Sequence, residues 1–146
     1  MFSTIILGAG KSTRMKANKS KLLFDIAGKP IITHIIEAVR QAKCSEIICV
    51  VNRESKDLIQ HLKDHKVNIA FQKKSNGTAG AAEAGNKIIS SKNRKVLILC
   101  GDAPFITTQS IKCMIKKISN SDACVGTVEL DIPKGYGRII RKGNKM

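Results

Sequence analysis

The sequence predicts an α/β domain built on a mainly parallel sheet, and two observations carry that expectation. Short apolar, β-branched runs alternate four times with segments whose apolar residues recur at helical spacing, over short connections. Three of those runs end in polar stretches, after Leu7, Phe71 and Cys100. In open parallel sheets a ligand lies against the carboxyl ends of the strands, so the three stretches are expected to converge on one edge.

Taken in order, Phe2–Leu7 (FSTIIL) is a buried first strand that runs into Gly8-Ala9-Gly10, with Lys11, Arg14 and Lys21 beyond it. Lys21–Pro30 is a short apolar segment closed by a turn, and Pro30 is suited to the first position of a helix. Ile31, Ile32, Ile35, Ile36 and Val39 set that helix to about Gln41. Glu46–Val51 reads as a buried strand, Leu58, Ile59 and Leu62 as the stripe of a second helix, and Val67–Phe71 as a third strand. A polar loop over Gln72–Gly77 leads into an Ala-rich, closely packed helix from Thr78 to Ile89. Val96–Cys100 is the most apolar run and is expected to be a central strand; Ile111, Met114, Ile115 and Ile118 mark the following helix. Ala123–Glu129 reads as a strand, Ile132–Gly137 as a loop, Arg138–Arg141 as the start of another strand, and Lys142-Gly143-Asn144 as a hairpin turn.

With 146 residues the chain is expected to be one domain, 42% hydrophobic and 25% charged as folded proteins are. Its formal charge of +15 is unusual, and basic residues gather between Lys11 and Lys29 and from Lys134 onward. Such a balance suits anionic partners, although most of the excess reads as Lys on solvated faces. Aromatic residues are only 3%, which leaves few stacking platforms and argues against a nucleic-acid partner. Cys44, Cys49, Cys100, Cys113 and Cys124 are odd in number and nowhere spaced C-x-x-C, so reduced, mostly buried thiols are expected, Cys49 and Cys100 in the core. No leader and no membrane span is expected, which places the chain in the cytoplasm. His34, His61 and His65 lack a ligand cluster and read as solvent-facing.

The stretch after the first strand implies a phosphate ester. Backbone N–H groups of a glycine-bearing loop form an anion site, to which Lys and Arg add full charges. A Walker A loop would need Gly where Ile5 stands, and a dinucleotide fingerprint would need Gly where Thr13 stands. Leu7-Gly8-Ala9-Gly10-Lys11-Ser12-Thr13-Arg14-Met15 fits instead the L-x-A-G-x-G-T-R-M pattern, departing at Ser12. Asp102, after a very apolar strand and a Gly, is placed equally well to hold Mg2+ or to cap the helix beginning near Thr107. Gln72, Gly77 and Thr78 offer groups that read a pyrimidine edge, or form a polar turn with Thr78 as helix N-cap.

These residues resemble the sugar-phosphate nucleotidyltransferases, and most closely the N-terminal uridylyltransferase domain of the bifunctional GlmU family. Besides the first loop, Gln72, Gly77, Thr78 and Ala79 match Q-x4-G-T-[AG], Gly101-Asp102-Ala103-Pro104-Phe105 is similar to G-D-x-P-L, and Gly135-Tyr136-Gly137-Arg138 is similar to G-Y-G-R. The resemblance implies a Rossmann-like three-layer nucleotidyltransferase fold (a MobA-like NTP transferase domain over 1–146), incomplete at its C-terminus. It implies transfer of uridylyl from UTP to N-acetylglucosamine 1-phosphate with release of pyrophosphate, or else a nucleotide-binding module without catalysis. Arg14 and Lys21 would act on the phosphates, and Asp102 would hold Mg2+. Leu7, Gly8, Ala9, Gly10, Lys21, Gln72, Gly77, Thr78, Gly101, Asp102 and Gly137 would bind nucleotide or sugar nucleotide. The family's domain continues past this length with further sugar-binding and metal-binding residues, so a separately encoded remainder is an expected partner.

Overall fold

The computed structural model describes residues 1–10, 19–73, 76–90 and 95–140. Among these, the strands are β1 (Phe2–Leu7), β2 (Asp25–Ile26), β3 (Lys29–Pro30), β4 (Glu46–Val51), β5 (Asn68–Phe71) and β6 (Lys95–Cys100). The helices are α1 (Ile31–Gln41), α2 (Lys56–Asp64), α3 (Gly77–Asn86) and α4 (Thr108–Lys117), with single 3-10 turns at Lys21–Leu23 and Ile118–Asn120. Four strands form one sheet in the order β5-β4-β1-β6, every pair parallel, as expected from the alternation.

The side-chain period sorts the sheet into two faces. Ile6, Cys49, Val51, Leu97 and Leu99 face α1, α2 and α4, whose Ile32, Ile35, Ile36, Val39, Leu58, Leu62 and Ile111 complete the larger core. Ile5, Ile48, Val50 and Ala70 face α3 through Ala81. A fully buried Ile or Leu of this kind is worth about 1.5–3 kcal/mol, so the α1 stripe is the main anchor of the fold. The layers are therefore helix, sheet, helix. Between β1 and α1 the chain makes a small antiparallel hairpin, β2 with β3, whose two turn residues Ala27 and Gly28 both have positive φ. Such a turn suits the strand twist and sets Pro30 directly before α1.

Several elements differ from the sequence reading. β6 is an edge strand among the described residues, not a central one, because its second side meets no ladder. α3 covers β1, β4 and β5 but not β6, so Val96 and Ile98 are exposed despite their apolar character. The same open edge exposes Cys100, and Cys113 and Cys124 are exposed too; only Cys49 is fully buried, and Cys44 is half-buried. Ala123–Glu129 forms no strand: it lies beside β6 without pairing, and Arg138–Ile140 forms none either. A β-branched run without a hydrogen-bonding partner has nothing to hold it as a strand. α3 ends at Asn86, short of Ile89. The histidines are half-buried rather than solvent-facing: His34 Nε2 bonds Ile26 O at 2.7 Å, and His61 Nε2 bonds Thr33 Oγ1 at 2.9 Å. The expected turn at Lys142–Asn144 lies outside the described residues. Among the described residues no helix is long and apolar enough to cross a membrane.

Candidate active site

The carboxyl ends of β1, β5 and β6 do meet. Gly8 extends the β1 ladder by donating its N–H to Val50 O at 2.8 Å, and Gly101 donates to Leu7 O at 3.0 Å. Beyond this last rung the strands diverge around a cavity of about 280 Å3, lined by Leu7, Gly8, Ala9, Gly10, Lys21, Leu22, Gln72, Gly77, Thr78, Ala81, Cys100 and Asp102. The volume is near the lower end for small-molecule sites.

Nine of the residues expected at a site are thus on one wall or another of this cavity. Gly101 is not on the lining but directly beneath Asp102, buried. A Cβ there would stand 2.8 Å from Leu7 O and 3.0 Å from Leu22 Cδ1, so its glycine serves the close approach of β6 to β1. Gly137 is exposed and is not among the lining residues. Arg14 lies outside the described residues. Leu22, Ala81 and Cys100 line the cavity without having been singled out in the sequence.

The electrostatic centre is a pair. Lys21 Nζ donates to Asp102 Oδ2 at 2.6 Å, with side chains 32% and 51% exposed. This hydrogen bond holds the Asp102 carboxyl below its usual value, against an opposing rise from partial burial. Asp102 does not cap α4. Thr107 does that itself, its Oγ1 accepting from Ser110 N–H at 3.1 Å. The carboxylate faces the cavity and pairs with Lys21, so of the two sequence readings the helix cap is the one that does not hold. Likewise Asn76, not Thr78, stands at the N-cap of α3. Gln72 Nε2 donates to Asn76 Oδ1 at 2.9 Å and to Gly77 O at 3.1 Å, tying the end of β5 to the start of α3. Gly77 makes that bend with φ +80, a conformation that favours glycine.

No cluster of three His, Cys, Asp or Glu side chains occurs among the described residues, as a closed zinc-type site would need. Asp102, one partly exposed carboxylate on the cavity wall, is a donor of the kind that Mg2+ takes, one or two carboxylates with phosphate and water oxygens completing the octahedron.

Asn52, in the β4–α2 connection, and Asp57, in the first turn of α2, were passed over in the sequence reading, and both hold backbone that borders the site. Asn52 Nδ2 donates to Ala9 O at 2.6 Å, and Asp57 Oδ2 accepts from Ser20 N–H at 2.9 Å. The available signal was positional: Asn52 directly follows a buried strand on the same sheet edge as the other loops.

The MobA-like NTP transferase domain pattern matches residues 4–134, nearly all of the sequence. The chain belongs to this family. Its relatives include the bifunctional protein GlmU of Lawsonia intracellularis, 36% identical over 99% of this chain and 32% of that protein. GlmU of Buchnera aphidicola is 39% identical over 97% of this chain and 31% of that protein. The chain thus spans about a third of the length of these curated relatives, and it is homologous to the N-terminal part of GlmU. Among solved structures, a nucleotidyl transferase from Methanothermobacter superposes with a TM-score of 0.69 at 19% identity, covering 80% of this chain and 57% of the other. A 4-diphosphocytidyl-2C-methyl-D-erythritol synthase from Anaerococcus prevotii gives 0.64 at 23% identity, over 82% and 51%. These superpositions establish the nucleotidyltransferase fold.

Proposed function

We propose that the chain is a cytoplasmic sugar-1-phosphate uridylyltransferase, making UDP-N-acetylglucosamine from UTP and N-acetylglucosamine 1-phosphate. The observation that supports this best is the meeting of Gly8–Gly10, Lys21, Gln72, Gly77, Thr78 and Asp102 around one cavity, in a chain homologous to the N-terminal part of GlmU.

In the reaction an oxygen of the sugar phosphate attacks the α-phosphorus of UTP, the bond from that phosphorus to the bridging oxygen breaks, and pyrophosphate leaves. The protein's work is positioning and charge. Gln72, Gly77 and Thr78 receive the uracil edge, and the N–H groups of Ala9 and Gly10, beyond the last rung of the ladder, receive phosphate. Lys21 holds the α-phosphate or the incoming sugar phosphate, and Arg14 receives the leaving phosphates. Asp102 would hold Mg2+, which would supply positive charge to offset the negative charge of the triphosphate. The test is calorimetry with UTP and CTP, each with and without Mg2+. Tight binding that prefers UTP and depends on Mg2+ supports the proposal; equal binding of both nucleotides contradicts the uracil reading.

A second reading, nucleotide binding without turnover, is favoured by one observation. Gly137, which the resemblance puts among the residues that bind nucleotide or sugar nucleotide, is not on the cavity wall. On that reading a separately encoded partner completes the sugar side, and UTP binds the chain alone without reacting.

A further inference from the structure

Asn52 and Asp57 take no part in the chemistry just described, yet each bonds the backbone of the first loop. Their bonds are opposite in polarity: Asn52 Nδ2 donates a hydrogen bond to Ala9 O, and Asp57 Oδ2 accepts one from Ser20 N–H. Ala9 lies in the glycine-bearing arm, and Ser20 directly precedes Lys21. The β4–α2 connection and the first turn of α2 therefore hold the chain at two places that flank residues 11–18. We propose that Asn52 and Asp57 are positioning residues, which hold Gly8–Gly10 and Ser20–Lys21 in the spacing that receives a nucleoside triphosphate. This inference rests on the nucleotide reading of the cavity.

Both supports are themselves fixed. Asn52 follows the fully buried Val51. Asp57 sits in the first turn of α2, where the helix N-terminus favours a carboxylate, and its Oδ1 accepts from Leu58 N–H at 2.8 Å. α2 is anchored by Leu58 and Leu62, both completely buried. A role for Asp57 in α2 alone would explain the Leu58 bond but not the reach to Ser20, 37 residues earlier. Ser20 in turn shapes the next turn, its carbonyl accepting from Leu23 N–H at 3.0 Å and its hydroxyl from Leu22 N–H at 3.4 Å. Asp57 thus acts on Lys21 through the backbone, and Lys21 meets Asp102 across the cavity. Preorganisation of this kind lowers the ordering cost of binding.

The experiment compares wild type, Asp57→Ala, Asp57→Asn, Asn52→Ala and Asn52→Asp by hydrogen exchange, with UTP and Mg2+ as the binding probe. In the free Asp57→Ala chain, exchange at residues 20–22 is expected to rise about fivefold while β4 stays protected, and UTP affinity to fall about fivefold. Asp57→Asn keeps one accepting oxygen and is expected to recover most of the affinity. Asn52→Asp sets a carboxylate against the Ala9 carbonyl and is expected to be worse than Asn52→Ala, although aspartate matches asparagine in size. Unchanged exchange at 20–22, or a rise shared equally by β4, would overturn the proposal. A wild-type chain that gains no protection from UTP would overturn the nucleotide reading instead.

Discussion

Lys21 Nζ and Asp102 Oδ2 stand 2.6 Å apart across the cavity, joining the first loop to the loop after β6 over 81 residues of sequence. Each is the group that an incoming ligand of the other sign would claim: phosphate for Lys21, a divalent cation for Asp102. On the proposed reading Lys21 meets the reacting phosphates directly and Asp102 acts through the Mg2+ it would hold, so Lys21→Met and Asp102→Ala are each expected to lower kcat for uridylyl transfer about a hundredfold or more. Steady-state kinetics at saturating Mg2+ checks this.

The same pair sets an acid limit. Because Lys21 holds the folded-state value of Asp102 below the unfolded one, about 3.9, the stabilisation is fully present above that value. It is lost only as pH falls through the lower folded value. Carbon-detected NMR titration is expected to show Asp102 still ionised at pH 4, and Lys21→Met is expected to return it toward the ordinary range.

His61 works in the opposite direction. Burial, with a smaller push from the His65 charge, lowers its value, and its ring lies 4.4 Å from that of His65. Below about pH 6.5 the unfolded chain therefore takes up a proton that the folded chain resists, so folding stability falls with pH until the lower folded value is reached. His61→Gln is expected to reduce the loss of Tm between pH 7 and pH 5 by about 2–3 °C. Melting curves of both chains across that range provide the check.

Thiol reactivity reports the open edge. Cys100, Cys113 and Cys124 are exposed, whereas burial pushes the Cys49 thiol up to about 12. A maleimide at neutral pH is expected to label the first three within minutes and to spare Cys49 while the fold persists. Cys100 lines the cavity, so UTP with Mg2+ is expected to slow its labelling alone. Mass spectrometry of digests resolves the sites.

Gly101→Ala tests whether the glycine serves packing. With Leu7 O 2.8 Å from the added methyl, β6 must move from β1, at a cost of about 1–3 kcal/mol. Thermal melting is expected to show that loss directly.

What was legible in the sequence follows its physics. β4 coincides with the expected Glu46–Val51 because a run buried on both faces has sharp polar ends. α1 is equally clear, since Ile32, Ile35, Ile36 and Val39 mark one face. Strand order leaves no such local mark, so the most apolar run, Val96–Cys100, passed for a central strand although it lies at an edge. Local pattern also promised a strand at Ala123–Glu129, where the decisive quantity, a partner's hydrogen bonds, is not local. Within the site, Lys21, Gln72 and Asp102 stood out through the resemblance to the nucleotidyltransferase motifs. Asn52 and Asp57 did not, because a single polar residue in a loop acquires meaning only from the backbone it meets in space.

The most direct measurement is pyrophosphate release by the purified chain with UTP, Mg2+ and N-acetylglucosamine 1-phosphate, beside Asp102→Ala. Uridylyl transfer through Asp102 predicts release that requires the sugar phosphate and is lost in the variant. Release that ignores the sugar, or that survives Asp102→Ala unchanged, would contradict it.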